Sequence, residues 1–261
     1  MADPSFSSTE TRSPALELRG IHVPGRQKPR LEGITLKLEA GERVALLGAS
    51  GAGKSTLLAV ANGSLQPEGG EVLWGGEPVA HRRRARRRQQ ARIGTLWQDL
   101  RLIEELSVQQ NLNSGRLASW GWPRALLNLL LPLESEACSQ ALRQVDLDPQ
   151  LLNHPVGELS GGQRQRVAIA RLLRQQPQLL LADEPLASLD PRLVKDLLEL
   201  LLEQGRAPRA LLLSLHRPDL LEGFDRVIGL RQGRLCFDRG IQELSRNEVN
   251  ALYAGLQPVP A

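Results

Sequence analysis

Aromatic residues are scarce in this chain. Four tryptophans, three phenylalanines and one tyrosine serve 261 residues. The core must therefore be built from leucine, valine, isoleucine and alanine. The shortage also argues against a single-strand nucleic-acid binder, which stacks bases on aromatic platforms. Cys138 and Cys236 are the only cysteines, too few for a disulfide framework or a zinc site. Reduced thiols are the default expectation. No apolar run approaches the roughly 20 residues needed to cross a bilayer. The longest candidate, Leu126 to Leu133, is interrupted by Asn128 and Pro132. Met1 to Thr11 is polar and serine-rich and has no hydrophobic signal core, so the chain is expected to stay on the side of the membrane where it is made. There is no glycine periodicity of the collagen kind and no internal repeat.

What is present is ordinary for a globular protein: 41% apolar residues and 24 glycines, which excludes disorder of the whole chain. At about 150 residues per domain, the length suits one large domain or two small ones. The net charge of +4 is local. Six arginines lie between Arg82 and Arg88, and the remainder is slightly acidic.

Residues 1 to 14 read as a disordered tail. LELRGIHV from Leu16 and ITLKL from Ile34 alternate apolar and polar residues, the pattern of half-exposed strands. RVALL from Arg43 is a buried-strand run, followed at once by a glycine-rich loop and a helix over Lys54 to Asn62. Two short strands with glycine turns fit around Glu71 to Trp74. From about 99 to 158 the chain is leucine-rich, helical in spacing and without strand runs, as an inserted helical subdomain would be. Strand runs then return at Gln178 to Ala182, Ala210 to Leu215, Arg226 to Leu230 and Arg234 to Phe237, with helices at Gln163 to Gln175 and Arg192 to Glu203.

Gly48, Ala49, Ser50, Gly51, Ala52, Gly53, Lys54 and Ser55 fit G-x-x-x-x-G-K-[ST], in the required strand–loop–helix context. Glycines let backbone N–H groups curl around phosphate oxygens, and the helix N-terminus adds a positive dipole end. Lys54 is expected to reach the β and γ phosphates and Ser55 to ligate Mg²⁺. This motif alone says only that a nucleotide is bound. The apolar run Leu179 to Ala182 ends in Asp183-Glu184-Pro185. Ligands of open α/β sheets sit at strand carboxyl ends, which places Asp183 to hold Mg²⁺, directly or through water. Glu184, pointing elsewhere, is a candidate general base for an attacking water.

Leu159-Ser160-Gly161-Gly162-Gln163 opens a second helix, with Ser160 and Gln163 spaced as a capping box. Two glycines in its first turn each cost about 1 kcal/mol relative to alanine, which suggests that a ligand approaches the backbone closely. A phosphate is the natural ligand there. LSGGQRQRVAIAR resembles the signature motif of ATP-binding cassette ATPases. Companion motifs follow the family order: Gln98 as the Q-loop, Ser188-Leu189-Asp190 as the D-loop and His216 as the switch histidine. The resemblance spans about residues 16 to 245, with residues 246 to 261 left as a C-terminal tail.

That resemblance implies an α/β fold: a P-loop NTPase core with a mostly parallel sheet, an N-terminal antiparallel β subdomain and an inserted helical subdomain. It implies two cassettes, head to tail, with ATP and Mg²⁺ between them. Gly48 to Thr56 of one copy would bind the phosphates. Ser160, Gly161, Gly162 and Gln163 of the other would cap the γ-phosphate, with Asp190 beside them. Gln98 would contact Mg²⁺ or the attacking water, and His216 the γ-phosphate. Family members often carry an aromatic that stacks on adenine near the first strand. Here the stretch is Ile21-His22-Val23-Pro24-Gly25, with His22 the only candidate.

A lone cassette without a membrane span implies separate integral-membrane permease subunits, a periplasmic solute-binding protein and a place on the cytoplasmic face of the inner membrane. LADEPLASLDP, Leu215 before His216, LRQGR and NSGRLASWGW are most similar to the ATPase subunits of bacterial phosphonate importers. Another importer or exporter ATPase is the alternative. A soluble cassette of DNA repair or translation fits less well: about 105 residues separate Ser55 from Ser160 without sustained heptads, and there is one phosphate loop. Trp120, Trp122 and Leu126 to Leu131 read either as helical-subdomain core or as part of a groove for a permease helix. The arginine run reads as a solvated basic face or as a contact for anionic lipid. Nucleic acid is not expected as a partner.

Overall fold

The computed structural model describes residues 13–120, 122–186 and 189–254. The expected tail at 1–14 lies outside these except for its last two residues. Among the described residues the strands form two sheets. The first is antiparallel, with β1 (Leu16–Val23) between β2 (Leu31–Leu38) and β4 (Gly69–Trp74), and β5 (Glu77–Pro78) at the edge. Alternation of apolar and polar residues buries one face of β1 and β2 and leaves the other wet.

The second sheet is built from β3 (Arg43–Leu47), β6 (Ile93–Leu96), β7 (Leu179–Asp183), β8 (Ala210–Leu215), β9 (Arg226–Arg231) and β10 (Arg234–Gly240). Their order is β10-β9-β3-β8-β7-β6, parallel except for β10 against β9. β7 and β8 are buried at every residue, as continuous apolar runs in a parallel sheet should be. Successive side chains leave on opposite faces. Leu179, Leu181, Ala210 and Leu212 join the core shared with the antiparallel sheet and α1 (Lys54–Ala61). Leu180, Ala182, Leu211 and Leu213 join the core under α6 (Gly161–Gln175) and α7 (Pro191–Gln204). This is the α/β architecture expected from the sequence.

Between β6 and α6 lie α3 (Val108–Ser114), α4 (Trp122–Leu130), α5 (Ser135–Gln144) and two 3₁₀ turns. Their packing corrects the reading of the Trp–Leu stripe as core. In α4 only Asn128 is buried, and its Oδ1 accepts from Asn113 Nδ2 at 2.9 Å. Trp122 is 79% exposed and Leu130 76%. The arginine run forms α2 (Arg83–Gln90), with no buried residue. Residues 246–261, read as a tail, include α8 (Arg246–Tyr253), started by a Ser245–Glu248 capping box and seated by buried Leu252. Among the described residues no helix is long and apolar enough to cross a membrane.

Candidate functional site

The carboxyl ends of β3, β8 and β7 adjoin one another, and each carries part of one cleft. After β3 the chain turns through Gly48–Gly53 into α1. Gly53 has φ 108, and a Cβ there would lie 2.8 Å from the Arg30 carbonyl oxygen, so this left-handed, crowded position needs glycine. The Gly233 N–H donates to the Ala52 carbonyl at 2.9 Å, tying the β9–β10 turn to the loop.

Lys54 is buried, 4% exposed. Its Nζ donates to the Gly48 and Ala49 carbonyls at 2.7 and 3.3 Å and lies 3.3 Å from Glu184 Oε1. A buried ammonium must be paired, and these partners hold it inside the loop. The same Glu184 oxygen is 2.5 Å from Nε2 of His216, the residue after β8. Glu184 has φ 50, and a non-glycine residue in that region costs about 1–3 kcal/mol and persists where its surroundings fix it. Ser214 supplies one such constraint. Its hydroxyl accepts from the Glu184 N–H at 3.0 Å and donates to Asp183 Oδ1 at 2.8 Å. One serine therefore holds the Asp183 carboxylate and the Glu184 backbone, and it faces Asp183 in register across β7 and β8.

A cleft of about 500 Å³ opens over this group. It is lined by Ala49 to Thr56, Gln98, Glu184 and His216, and also by Lys28, Pro29, Arg30, Gln232 and Gly233. His22 is not among these lining residues; it pairs with Gly69 in the antiparallel sheet, and its Cβ lies over that glycine. Lys28, Pro29 and Arg30 line the cleft where the sequence reading had looked to His22.

Gln98 is exposed at the cleft edge, in a loop with two consecutive left-handed residues, Leu100 (φ 58) and Arg101 (φ 48). Arg171 of α6 donates to both of their carbonyls at 2.6 Å. Burial pushes the Arg171 guanidinium below its usual pKa range. The Arg101 guanidinium lies 3.8 Å over the ring of Trp97, the neighbour of Gln98.

Ser160 and Gln163 form the capping box at α6, with the Ser160 N–H donating to Gln163 Oε1 at 2.9 Å. Ser160, Gly161, Gly162 and Gln163 do not line the cleft that holds Lys54. A Cβ on Gly161 would meet nothing within 4 Å, and one on Gly162 only Leu189 Cδ2 at 3.8 Å. Nothing among the described residues of this chain demands glycine at either position. A second cleft of about 310 Å³ runs from Gln98 and Glu184 to Gly161 and Arg164. Buried Gln165 donates through Nε2 to the Pro185 carbonyl and ties α6 to the residues after Glu184. Asp190 caps α7, accepting from Arg192 and Leu193 N–H at 3.1 Å. Ser188 lies outside the described residues.

Among the described residues no three His, Cys, Asp or Glu side chains converge on a metal position. The Ser55 hydroxyl, the Gln98 amide oxygen and the Asp183 carboxylate are hard oxygen donors. Such a sparse set fits Mg²⁺, which prefers one or two protein ligands plus phosphates and water over a protein cage. Sequence reasoning missed Ser214 and the Lys28–Arg30 wall. A lone serine in the run ALLLSL was the available signal for the first. The wall comes from a loop whose path only the fold sets.

Residues 31–187 match the family model described as ABC transporter. A protein of Anaeromyxobacter dehalogenans, named phosphonates import ATP-binding protein, is 42% identical over 255 residues; the match takes in 97% of this chain, which spans about half (51%) of that relative's length. A protein of the same name from Pseudomonas putida is 41% identical over 249 residues, 94% of this chain and 92% of the relative. Among solved structures, CbiO1 of Clostridium perfringens, part of an ABC transporter complex, superposes with TM-score 0.73 at 28% identity, over 92% of this chain and 94% of that one.

Proposed function

This chain belongs to the ABC transporter family of ATP-binding cassettes, and from that premise we propose that it is the ATP-hydrolysing subunit of an importer for phosphonates or related phosphorus compounds. The convergence of Lys54, Glu184 and His216 at the ends of three neighbouring parallel strands carries the catalytic part of this reading. The solute rests on the 41–42% identity to proteins named for phosphonate import.

ATP lies along the first cleft, phosphates against Gly48 to Thr56. Lys54 exchanges its two carbonyl partners for the β and γ phosphates, as the lysine of such a loop does. That exchange also releases Glu184 from the ammonium. Its carboxylate then accepts a proton from the water that attacks the γ-phosphorus, a role worth about 10²–10⁴-fold. His216 faces the same carboxylate oxygen and the γ-phosphate, so it orients the water and its acceptor together. Ser214 holds Asp183 and the Glu184 backbone in register through the reaction. Bound Mg²⁺, held by Ser55, Asp183 and Gln98, would neutralise phosphate charge.

A second copy, head to tail, completes the site. Its Ser160, Gly161, Gly162 and Gln163 present a helix N-terminus to the γ-phosphate, and its Asp190 lies beside them. The open space around Gly161 and Gly162 supports an approach from outside the chain. Hydrolysis then drives an integral-membrane permease fed by a periplasmic solute-binding protein, with the cassette on the cytoplasmic face of the inner membrane.

Affinity purification of the tagged chain from detergent-solubilised source membranes tests the assignment. Recovery of a permease together with a phosphonate-binding protein is the expected result. A permease with a binding protein for another solute would overturn the phosphonate part. Only ribosomal or soluble partners would overturn transport.

A further inference from the structure

The loop after β6 carries Gln98 to the cleft edge, and its backbone has few supports of its own. The Leu100 and Arg101 N–H groups donate to the Trp97 and Asp99 carbonyls at 3.0 and 2.6 Å, so the chain turns tightly just after Gln98. Leu100 and Arg101 then stand left-handed, a region that bulky side chains disfavour. From Ile103 onward the chain is held by buried Asn111 of α3. Its Oδ1 accepts from the Ile103 N–H and its Nδ2 donates to the Ile103 carbonyl, both at 2.9 Å. Between Trp97 and Leu102, the one side chain among the described residues that hydrogen-bonds to the backbone is Arg171.

Arg171 belongs to a stripe on α6. Arg164, Ala168, Arg171 and Gln175 follow one another at spacings of three or four residues and so share a face. Gln175 Nε2 donates to the Ala91 and Ile93 carbonyls at 3.2 and 2.8 Å, where β6 begins. Arg171 takes the Leu100 and Arg101 carbonyls beyond the end of that strand. Arg164 donates to Glu104 Oε1 at 3.1 Å. One helix face therefore grips the chain on both sides of Gln98. A planar guanidinium presents a rigid fork of donors to two neighbouring carbonyls at once, which an ammonium does not.

We propose that Arg171 is a positioning residue for Gln98: its fork holds the two left-handed carbonyls and so fixes the turn that presents the Gln98 amide to the nucleotide. Residues in a costly conformation persist where their surroundings hold them, and here that hold comes from α6. The role deepens the ATPase reading and rests on it, because Gln98 acts on bound nucleotide.

Arg171→Met keeps the stem of the side chain and removes its donors. In the transporter complex kcat is expected to fall about 10-fold, the lower end for losing a hydrogen bond from a charged group, with ATP affinity unchanged. In a Gln98→Ala background the same substitution should cause no further fall. A second arm needs no catalysis. Amide hydrogen exchange of the full chain should quicken at Leu100 and Arg101, while residues 161–175 keep their protection. A wild-type kcat in Arg171→Met, or a further fall in the Gln98→Ala background, would overturn the proposal. So would unchanged exchange at Leu100 and Arg101, or loosening of α6 as a whole, which would make Arg171 a structural residue of the helix alone. Should Arg171→Met fail to fold, Arg171→Lys, which keeps the charge and lacks the fork, carries the same two readouts. A wild-type complex that hydrolyses no ATP would sink the ATPase reading, and the exchange result would still decide whether Arg171 holds the loop.

Discussion

In β8 the leucines of the run from Ala210 to Leu215 are all buried, whereas in α4 Leu126, Leu127, Leu129 and Leu130 are all exposed. The two stretches have nearly the same composition. The strand lies between two layers that the chain itself supplies, one on each face. The helix turns the other way, docking on α3 through amides. Asn113 Nδ2 donates to Asn128 Oδ1, Gln110 Nε2 to the Leu129 carbonyl, and Gln109 Nε2 to the Leu133 carbonyl. Hydrophobicity therefore sets only the demand for an apolar neighbour. Whether that neighbour belongs to the same chain is decided by which face carries the better polar partners. Contiguous exposed apolar residues of this kind mark interaction sites.

The largest effect belongs to the sheet end. Glu184→Gln is expected to lower turnover by at least about 100-fold while ATP binding persists. Rapid hydrolysis by that variant, measured by phosphate release in the intact complex, would remove the general base. Next, Leu212→Ala in β8 should cost about 2–5 kcal/mol in urea unfolding, because it leaves a cavity. Leu130→Ala in α4 should stay within about 0.5 kcal/mol. Equal losses would erase the contrast between the two regions. Between these two, Asn113→Ala should cost about 1–3 kcal/mol, since it strands the buried Asn128 oxygen. The same Asn113 accepts from Arg174, which also binds Glu134.

The smallest effect is one of pH. The hydrogen bond from Arg174 holds the Glu134 carboxyl below its usual range, against the opposing effect of burial. A depressed carboxylate stabilises the fold above its unfolded pKa, and that contribution is lost as pH falls through the lowered folded value. The urea midpoint of the wild type should thus fall with acid more steeply than that of Glu134→Gln. Parallel curves would detach this pair from the stability of the helical subdomain.

Most strands, α1 and α6 were legible because periodicity, glycine punctuation and capping residues agree there, whereas the four-residue β6 was not read from the sequence. The phosphate loop and the DE pair at the end of β7 were legible as chemistry. What escaped were relations across space. Periodicity finds the α4 stripe but cannot say which side packs, because a nine-residue helix binds as well by amides as by leucines. The Ser245–Glu248 capping box starts α8, but the eight residues RNEVNALY carry too few apolar positions to announce a helix. His22 was chosen by distance along the chain, and the pairing of β1 with β4 takes it away from the cleft.

The stack of Arg101 on Trp97 makes the chain its own optical instrument. Tryptophan emission follows the polarity around the indole, and Trp97 is one residue from Gln98. A loop that releases Arg101 wets the ring and moves its emission to the red. Trp74 is buried, 7% exposed, and contributes a steady background. With Trp120 and Trp122 changed to phenylalanine, the position of the Gln98 loop can be followed in real time, without a dye, as nucleotide is mixed in.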